Sequence, residues 1–154
     1  MTTHADDAEA VFRSGLNCCQ AVVMAFAEEH GLGREDAKRL ASAFGGGISG
    51  MGLTCGAVTG ALFVIGLKHP RHDPGSAAAS VKVAREFTRR FSAENSSIAC
   101  RDLLGRDIST PEGMEAARAA GLFQTLCPAL VRKAAEILDD LLTDAGAPGQ
   151  APQA

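Results

Sequence analysis

The chain has 154 residues, 46% of them apolar, and a formal net charge of −3 with acidic and basic residues interspersed. That length supports one well-buried core and is short for two, so a single domain is expected. The charge balance excludes the electrostatic footprint of a nucleic-acid or membrane-surface binder, and the absence of Tyr and Trp removes two of the side chains on which bases commonly stack.

No basic flank followed by an apolar run opens the chain, so no secretory signal is read and a cytoplasmic location is expected. The longest apolar run, about Leu53 to Leu67, is shorter than the ~20 residues that cross a bilayer, so no membrane span is expected. Five cysteines in a reducing compartment point away from structural disulfides and toward metal binding, redox chemistry or packing.

In chain order, Asp6 to Arg13 reads as a helix with acids in its first turn and Gly15 as its stop. Asn17 is a cap for Cys18 to Glu29, apolar on most faces and closed by Gly31, which makes it a central helix. Cys18 and Cys19 both fall in its first turn, where adjacent side chains diverge by about 100° and cannot share an environment.

Arg34 to Phe44 reads as a third helix with Ala37, Leu40, Ala41 and Phe44 on one apolar stripe. The glycine-rich run Gly45 to Gly52 lacks the Gly-Lys-Ser/Thr ending of a phosphate loop and reads as a tight connection where backbone approaches backbone. Thr54 is placed as the cap of the next helix, which puts Cys55 among free amides at its positive end, a field that favours thiolate. Gly56 and Gly60, with Ala57 and Ala61 beside them, flatten one face of that helix for a close neighbour. His69 and His72 flank Pro70, which breaks the spacing a metal pair needs, and are read as solvated.

Ser76 to Phe91 reads as an amphipathic helix with Ala84, Phe87 and Phe91 inward and Lys82, Arg85 and Arg89 outward. Asn95-Ser96-Ser97 breaks the chain and caps Ile98 to Leu104, placing Cys100 in a first turn. Thr110-Pro111-Glu112 is a helix start. The last helix is expected to open at Cys127-Pro128, because proline is favoured at the first helical position. After Leu142 the composition turns polar and proline-rich, so a disordered tail over 143–154 is expected. No period-two pattern occurs, and the architecture expected is an all-α, single-domain bundle of about five to seven helices over 1–142.

Four expected helix starts each carry a cysteine: Cys18, Cys55, Cys100 and Cys127. Core filling alone gives no reason for cysteine to collect at first turns rather than mid-helix. Without a Cys-x-x-Cys pair, neither a thioredoxin motif nor a zinc knuckle fits, and the four thiols must converge from distant segments.

Asn17-Cys18-Cys19-Gln20-Ala21-Val22, Phe44-Gly45-Gly46-Gly47, Cys55-Gly56-Ala57-Val58-Thr59-Gly60-Ala61, Cys100-Arg101-Asp102-Leu103-Leu104-Gly105 and Cys127 together resemble the C_GCAxxG_C_C family of redox-active proteins, some members of which are described as selenoproteins. The resemblance spans about Phe12 to Leu142 and leaves Cys19 as an extra cysteine. The family label puts Gly before Cys in its central motif, whereas this chain has Cys55 before Gly56. The resemblance implies a four-cysteine redox site at Cys18, Cys55, Cys100 and Cys127. A similar domain is associated with iron–sulfur and haem-bearing electron-transfer proteins, although no Cys-x-x-Cys-His haem attachment occurs here.

Three readings follow. The first is a thiol-dependent oxidoreductase with an unidentified redox partner, in which Cys55 and Cys18 attack and Cys100 and Cys127 resolve, in a pairing the sequence does not choose. The second is a module in which the same four thiolates hold a metal ion or an iron–sulfur cluster without turnover. The third is a helical interaction protein that forms homo-oligomers through its small-residue faces while the cysteines pack.

Overall fold

The computed structural model describes residues 1–145. Eight α-helices follow in order: α1 His4–Arg13, α2 Cys18–Phe26, α3 Arg34–Leu40, α4 Gly56–Lys68, α5 Pro74–Asn95, α6 Cys100–Leu104, α7 Pro111–Ala119 and α8 Leu122–Ala145. Short 3₁₀ turns sit at Glu28–His30 and Ser42–Phe44. Among the described residues the only extended pairing is an isolated antiparallel bridge between Thr54 and Ala99. The protein is an all-α single domain, and no described helix is long and apolar enough to cross a membrane.

Local chemistry sets the helix starts. Thr3, Asn17 and Asp73 each accept from the N–H three residues on, and Asp6, Gln20 and Ser76 return the bond to the cap backbone. Each such box satisfies two amides that would otherwise have no partner. Asp73 therefore starts α5 earlier than Ser76, and Pro74 adds a pre-set φ at its first position. The stripe expected to run from Ala37 to Phe44 breaks, because α3 ends at Leu40 and tightens into the 3₁₀ turn. Leu40 consequently points outward at 58% exposure, while Phe44 meets the Phe63 ring edge-on at 5.2 Å.

Helix α2 is the hub, buried along most of its length, with α1, α3, α4 and α8 packed around it. The core is built from its Val22, Val23 and Phe26, from Val58, Val64 and Ile65 of α4, from Phe87 and Phe91 of α5, and from Val131 and Leu138 of α8. Burying each of these side chains contributes on the order of 2 kcal/mol relative to leaving it in water. The small face of α4 does what its glycines suggest. A Cβ on Gly60 would stand 3.0 Å from both the Cys19 carbonyl oxygen and Val22 Cβ, so only glycine lets α2 come this close. Ion pairs tie α1 to its neighbours: Arg132 holds Asp6 and Glu9 at 2.6 Å each, and Arg34 grips Asp7 with both nitrogens at 2.8 and 2.9 Å.

The last helix departs from expectation. It begins at Leu122, not at Cys127-Pro128, so Pro128 lies inside it. Gly121, at φ +68°, ends the preceding turn, and its carbonyl accepts from the amides of both Gln124 and Thr125 at 3.2 Å. Proline inside a helix deprives the carbonyl four residues earlier of its donor. Here that carbonyl belongs to Gln124, and the Arg13 guanidinium donates to it at 3.3 Å. The helix continues through Ala145, beyond the expected boundary at Leu142, and residues 146–154 of the expected tail lie outside the described residues. His69 is also corrected. It is half-buried, its Nε2 has no hydrogen-bond partner, and burial, with Lys68 and His30 nearby, holds its pKa below the ordinary histidine value.

Candidate functional site

Three backbone devices bring the cysteines to one end of the bundle. The first fixes the start of α2. Asn17 caps the helix, and its amide donates to the carbonyls of Ala41 and Ser42 at 3.3 and 3.1 Å, pinning Cys18 against the end of α3.

The second is the glycine-rich loop. From Gly46 to Gly50 five consecutive residues have positive φ, Ile48 at 65° and Ser49 at 48° among them. That is a complete left-handed turn, a conformation costing roughly 1–2 kcal/mol for each residue bearing a Cβ and most conspicuous for β-branched Ile48. Bonds from the amides of Gly50, Gly52 and Leu53 to the carbonyls of Gly45, Gly46 and Gly47, at 3.0, 3.1 and 2.8 Å, hold the turn closed. The benefit is proximity. A Cβ on Gly47 would fall 2.6 Å from Cys100 Cβ, so the left-handed turn lays bare backbone against that cysteine.

The third device is the Thr54–Ala99 bridge. The Cys55 amide donates to Ile98 O at 2.8 Å and the Cys100 amide to Leu53 O at 2.6 Å, so two cysteines far apart in the chain become neighbours. Arg101 extends the seam, donating through its amide and its Nε to Gly52 O at 3.1 and 3.3 Å and through its guanidinium end to Met51 O at 3.0 Å.

The four sequence-predicted cysteines line one cavity of about 200 Å³. Among the described residues Asn17 is the only other polar side chain on its wall; the rest is backbone at Gly46, Gly47 and Gly56 and apolar surface from Phe12, Leu103, Leu104, Phe123 and Leu130. No charged side chain among the described residues lines it. Cys55, Cys100 and Cys127 are 4%, 8% and 6% exposed, whereas Cys18 is only half-buried. Cys18 and Cys127 are the two whose thiols most strongly perturb each other's ionisation.

Burial dominates the electrostatics of the cavity. Burial pushes the Cys55 thiol up to about 11, outweighing the amides of Ala57 and Val58 that favour its thiolate, and pushes Cys100 up to about 12. Cys55 is itself the residue before the first helical position, and Thr54 spends its backbone on the bridge to Ala99 and makes no side-chain cap. The Cys18–Cys127 pair titrates as a unit in which Cys18 keeps the proton and donates it, which lowers Cys127 below the ordinary thiol value and raises Cys18 well above it. Cys127 is therefore the sulfur most readily ionised, and it stands in mid-helix, not at a helix start. Cys19 lies elsewhere, fully buried against α4, and burial pushes its thiol up to about 11 even though Thr59 nearby favours the thiolate.

Residues 16–141 match the family model described as "Putative redox-active protein (C_GCAxxG_C_C)". The chain belongs to that family. No curated protein and no solved structure matches the chain. A redox role is thereby supported in general terms. The reversed order of Cys55 and Gly56 has a physical reason in this member. A Cβ at residue 56 would stand 3.0 Å from both Cys18 Cβ and Cys19 N and 3.2 Å from Phe44 O, so the residue without a side chain occupies the point of closest approach between α2 and α4.

A single thiolate-bound metal ion does not fit this arrangement, since among the described residues no three His, Cys, Asp or Glu side chains gather closely enough to hold one. The sulfurs surround a space and not a point. Arg101, Phe12 and Phe123 went unread in the sequence. Arg101 alone carried a signal, as a cation adjacent to Cys100, whereas an isolated Phe on an amphipathic helix looks like any core residue.

Proposed function

We propose that the protein is a dithiol redox protein in which Cys18 and Cys127 form the pair that opens and closes, with Cys55 and Cys100 as a second pair in the same cavity. The observation that carries this reading is that Cys18 and Cys127, 109 positions apart in the chain (127 − 18), line one cavity and perturb each other's ionisation, with two further cysteines from other segments on the same wall. Oxidation removes two protons and two electrons from the pair and forms one S–S bond; a two-electron acceptor takes them. Low polarity serves the chemistry by keeping Cys55 and Cys100 protonated while the shared proton activates Cys127.

A second reading is favoured by the donor set. Four thiols facing a common cavity with no carboxylate or imidazole among them are the soft ligand set of an iron–sulfur cluster, which holds its cysteines farther apart than one ion does. Such a cluster would supply one-electron transfer, and Cys18, Cys55, Cys100 and Cys127 would be its ligands.

One experiment tests both. The protein is purified without oxygen, and iron, visible absorption and free thiols are measured before and after mild oxidant. Colourless, iron-free protein losing thiols in pairs supports the dithiol reading. Stoichiometric iron with visible absorption supports the cluster, and five unreactive thiols without iron overturn both.

A further inference from the structure

Independently of the redox reading, we infer that the outer face of α4, flanked by α3 and α5, is a self-docking surface on which a second copy of this chain sits about a two-fold axis. The small residues of α4 are already used within one chain, since Gly56 and Gly60 lie against α2. What α4 turns outward is Leu62, 38% exposed and shared between two grooves. The groove on the α3 side measures about 530 Å³ and is apolar apart from Thr59, whose hydroxyl donates to Gly56 O at 3.2 Å. Leu40 lines it and is 58% exposed. On the α5 side, Val81, 42% exposed, and Ala84 line the other groove beside Arg85 and Arg89. Exposed apolar side chains scattered singly are ordinary, whereas Leu40, Leu62 and Val81 gather on one face around grooves, as at an interaction site. The first half of α5 adds to that face: residues 74–84 include no buried residue although they are rich in Ala and Val.

Charge selects a second copy as the occupant. On the α5 flank Lys82 and Arg85 have no ion-pair partner among the described residues, and Glu86, the acid of that helix turn, is held by Arg89 and Arg90 at 2.8 Å each. On the α3 flank Glu35 and Asp36 are exposed and reach Lys38 and Arg39 only at 3.8 and 3.5 Å, surface pairs that contribute little. Available acid on one flank and unpaired cation on the other is a pattern that a two-fold axis satisfies twice. An axis running along α4 in the plane of contact sets Leu62 against its counterpart and lays the α3 flank of each copy over the α5 flank of the other. Glu35 and Asp36 then meet Lys82 and Arg85 at the rim, while Leu40, Leu62 and Val81 are covered at the centre. The contact closes at two copies.

Sedimentation velocity on the full chain, with reductant present so that no disulfide joins copies, tests this. Between about 1 and 100 μM the unmodified chain is expected to move from 15.9 kDa toward twice that mass. Leu62→Glu, which sets two carboxylates face to face at the axis, is expected to weaken association at least a hundredfold with the far-ultraviolet circular dichroism unchanged. A charge swap serves should that variant fail to fold. Reversing Glu35 and Asp36 to Lys, or Lys82 and Arg85 to Glu, is expected to weaken the dimer at least tenfold in each case, and combining the four changes to bring it back within about threefold of the unmodified chain. A chain that stays at 15.9 kDa throughout overturns the inference and leaves the face to a partner of another sequence. A dimer untouched by Leu62→Glu and by either reversal overturns it in favour of another face. Neither result bears on the dithiol reading.

Discussion

Replacing Gly47 by alanine probes the contact on which the site's geometry depends. Two costs add. At φ +66° any residue with a Cβ pays roughly 1–2 kcal/mol for left-handed backbone. The new Cβ also falls 2.6 Å from Cys100 Cβ and from the Leu53 amide nitrogen, an overlap that backbone on one side cannot relieve and that costs about 1–3 kcal/mol more. The total is about 2–5 kcal/mol. Gly50 provides the control, since its φ of +75° imposes the same backbone cost while a Cβ there meets nothing within 4 Å. Gly50→Ala is expected to lose only the roughly 1–2 kcal/mol backbone cost. Urea unfolding of the reduced proteins, followed by far-ultraviolet circular dichroism because the chain has no Trp, gives both values from the midpoint at unchanged slope. A Gly47→Ala protein no less stable than Gly50→Ala would refute the claim that bare backbone is pressed against Cys100.

Other consequences are equally measurable. Cys55 is raised from 9.0 to about 11, so the folded state holds this proton after the unfolded chain releases it; the stability of the reduced protein is intact below pH 9, falls as pH rises through about 11, and Cys55 alone accounts for about 3 kcal/mol of the loss. Urea midpoints across that range check the slope, which should flatten in Cys55→Ala. Cys127 should alkylate at a lower pH than any other thiol, and Cys18→Ala should move its titration upward, as peptide mass spectrometry with a small neutral reagent will report. Cys19→Ala removes a buried thiol outside the cavity, so thiol pairing should persist at a stability cost of about 1 kcal/mol. Arg101→Gln frees the Gly52 and Met51 carbonyls from their guanidinium donors and should speed hydrogen exchange at Leu53 while costing about 1 kcal/mol.

Caps and periodicity made most helices legible before any coordinates. Thr110-Pro111 marks the start of α7, Asn17 that of α2, and the Phe87–Phe91 stripe of α5 is buried as its spacing implies. What escaped is what tertiary contacts decide. Pro128 reads as a helix start because nothing in the sequence reveals that Arg13 will satisfy the carbonyl it leaves open. With α8 starting after Gly121, Cys127 lies in a helix interior instead of a first turn. The family resemblance implied a shared four-cysteine site, and the four residues do line one cavity, but their ionisation was not legible in the sequence. The helix-end field at Cys55 is local and visible in sequence, whereas the burial that outweighs it, and the proton shared between Cys18 and Cys127, arise only when residues distant in the chain are packed together.

The central claim rests on which sulfurs join. Anaerobically reduced protein treated with one equivalent of mild oxidant, digested without reduction and mapped by mass spectrometry, should yield a cross-link between the peptides carrying Cys18 and Cys127 ahead of any other. A first cross-link that includes Cys19, or one between separate molecules with Cys18 and Cys127 still free, would contradict the account.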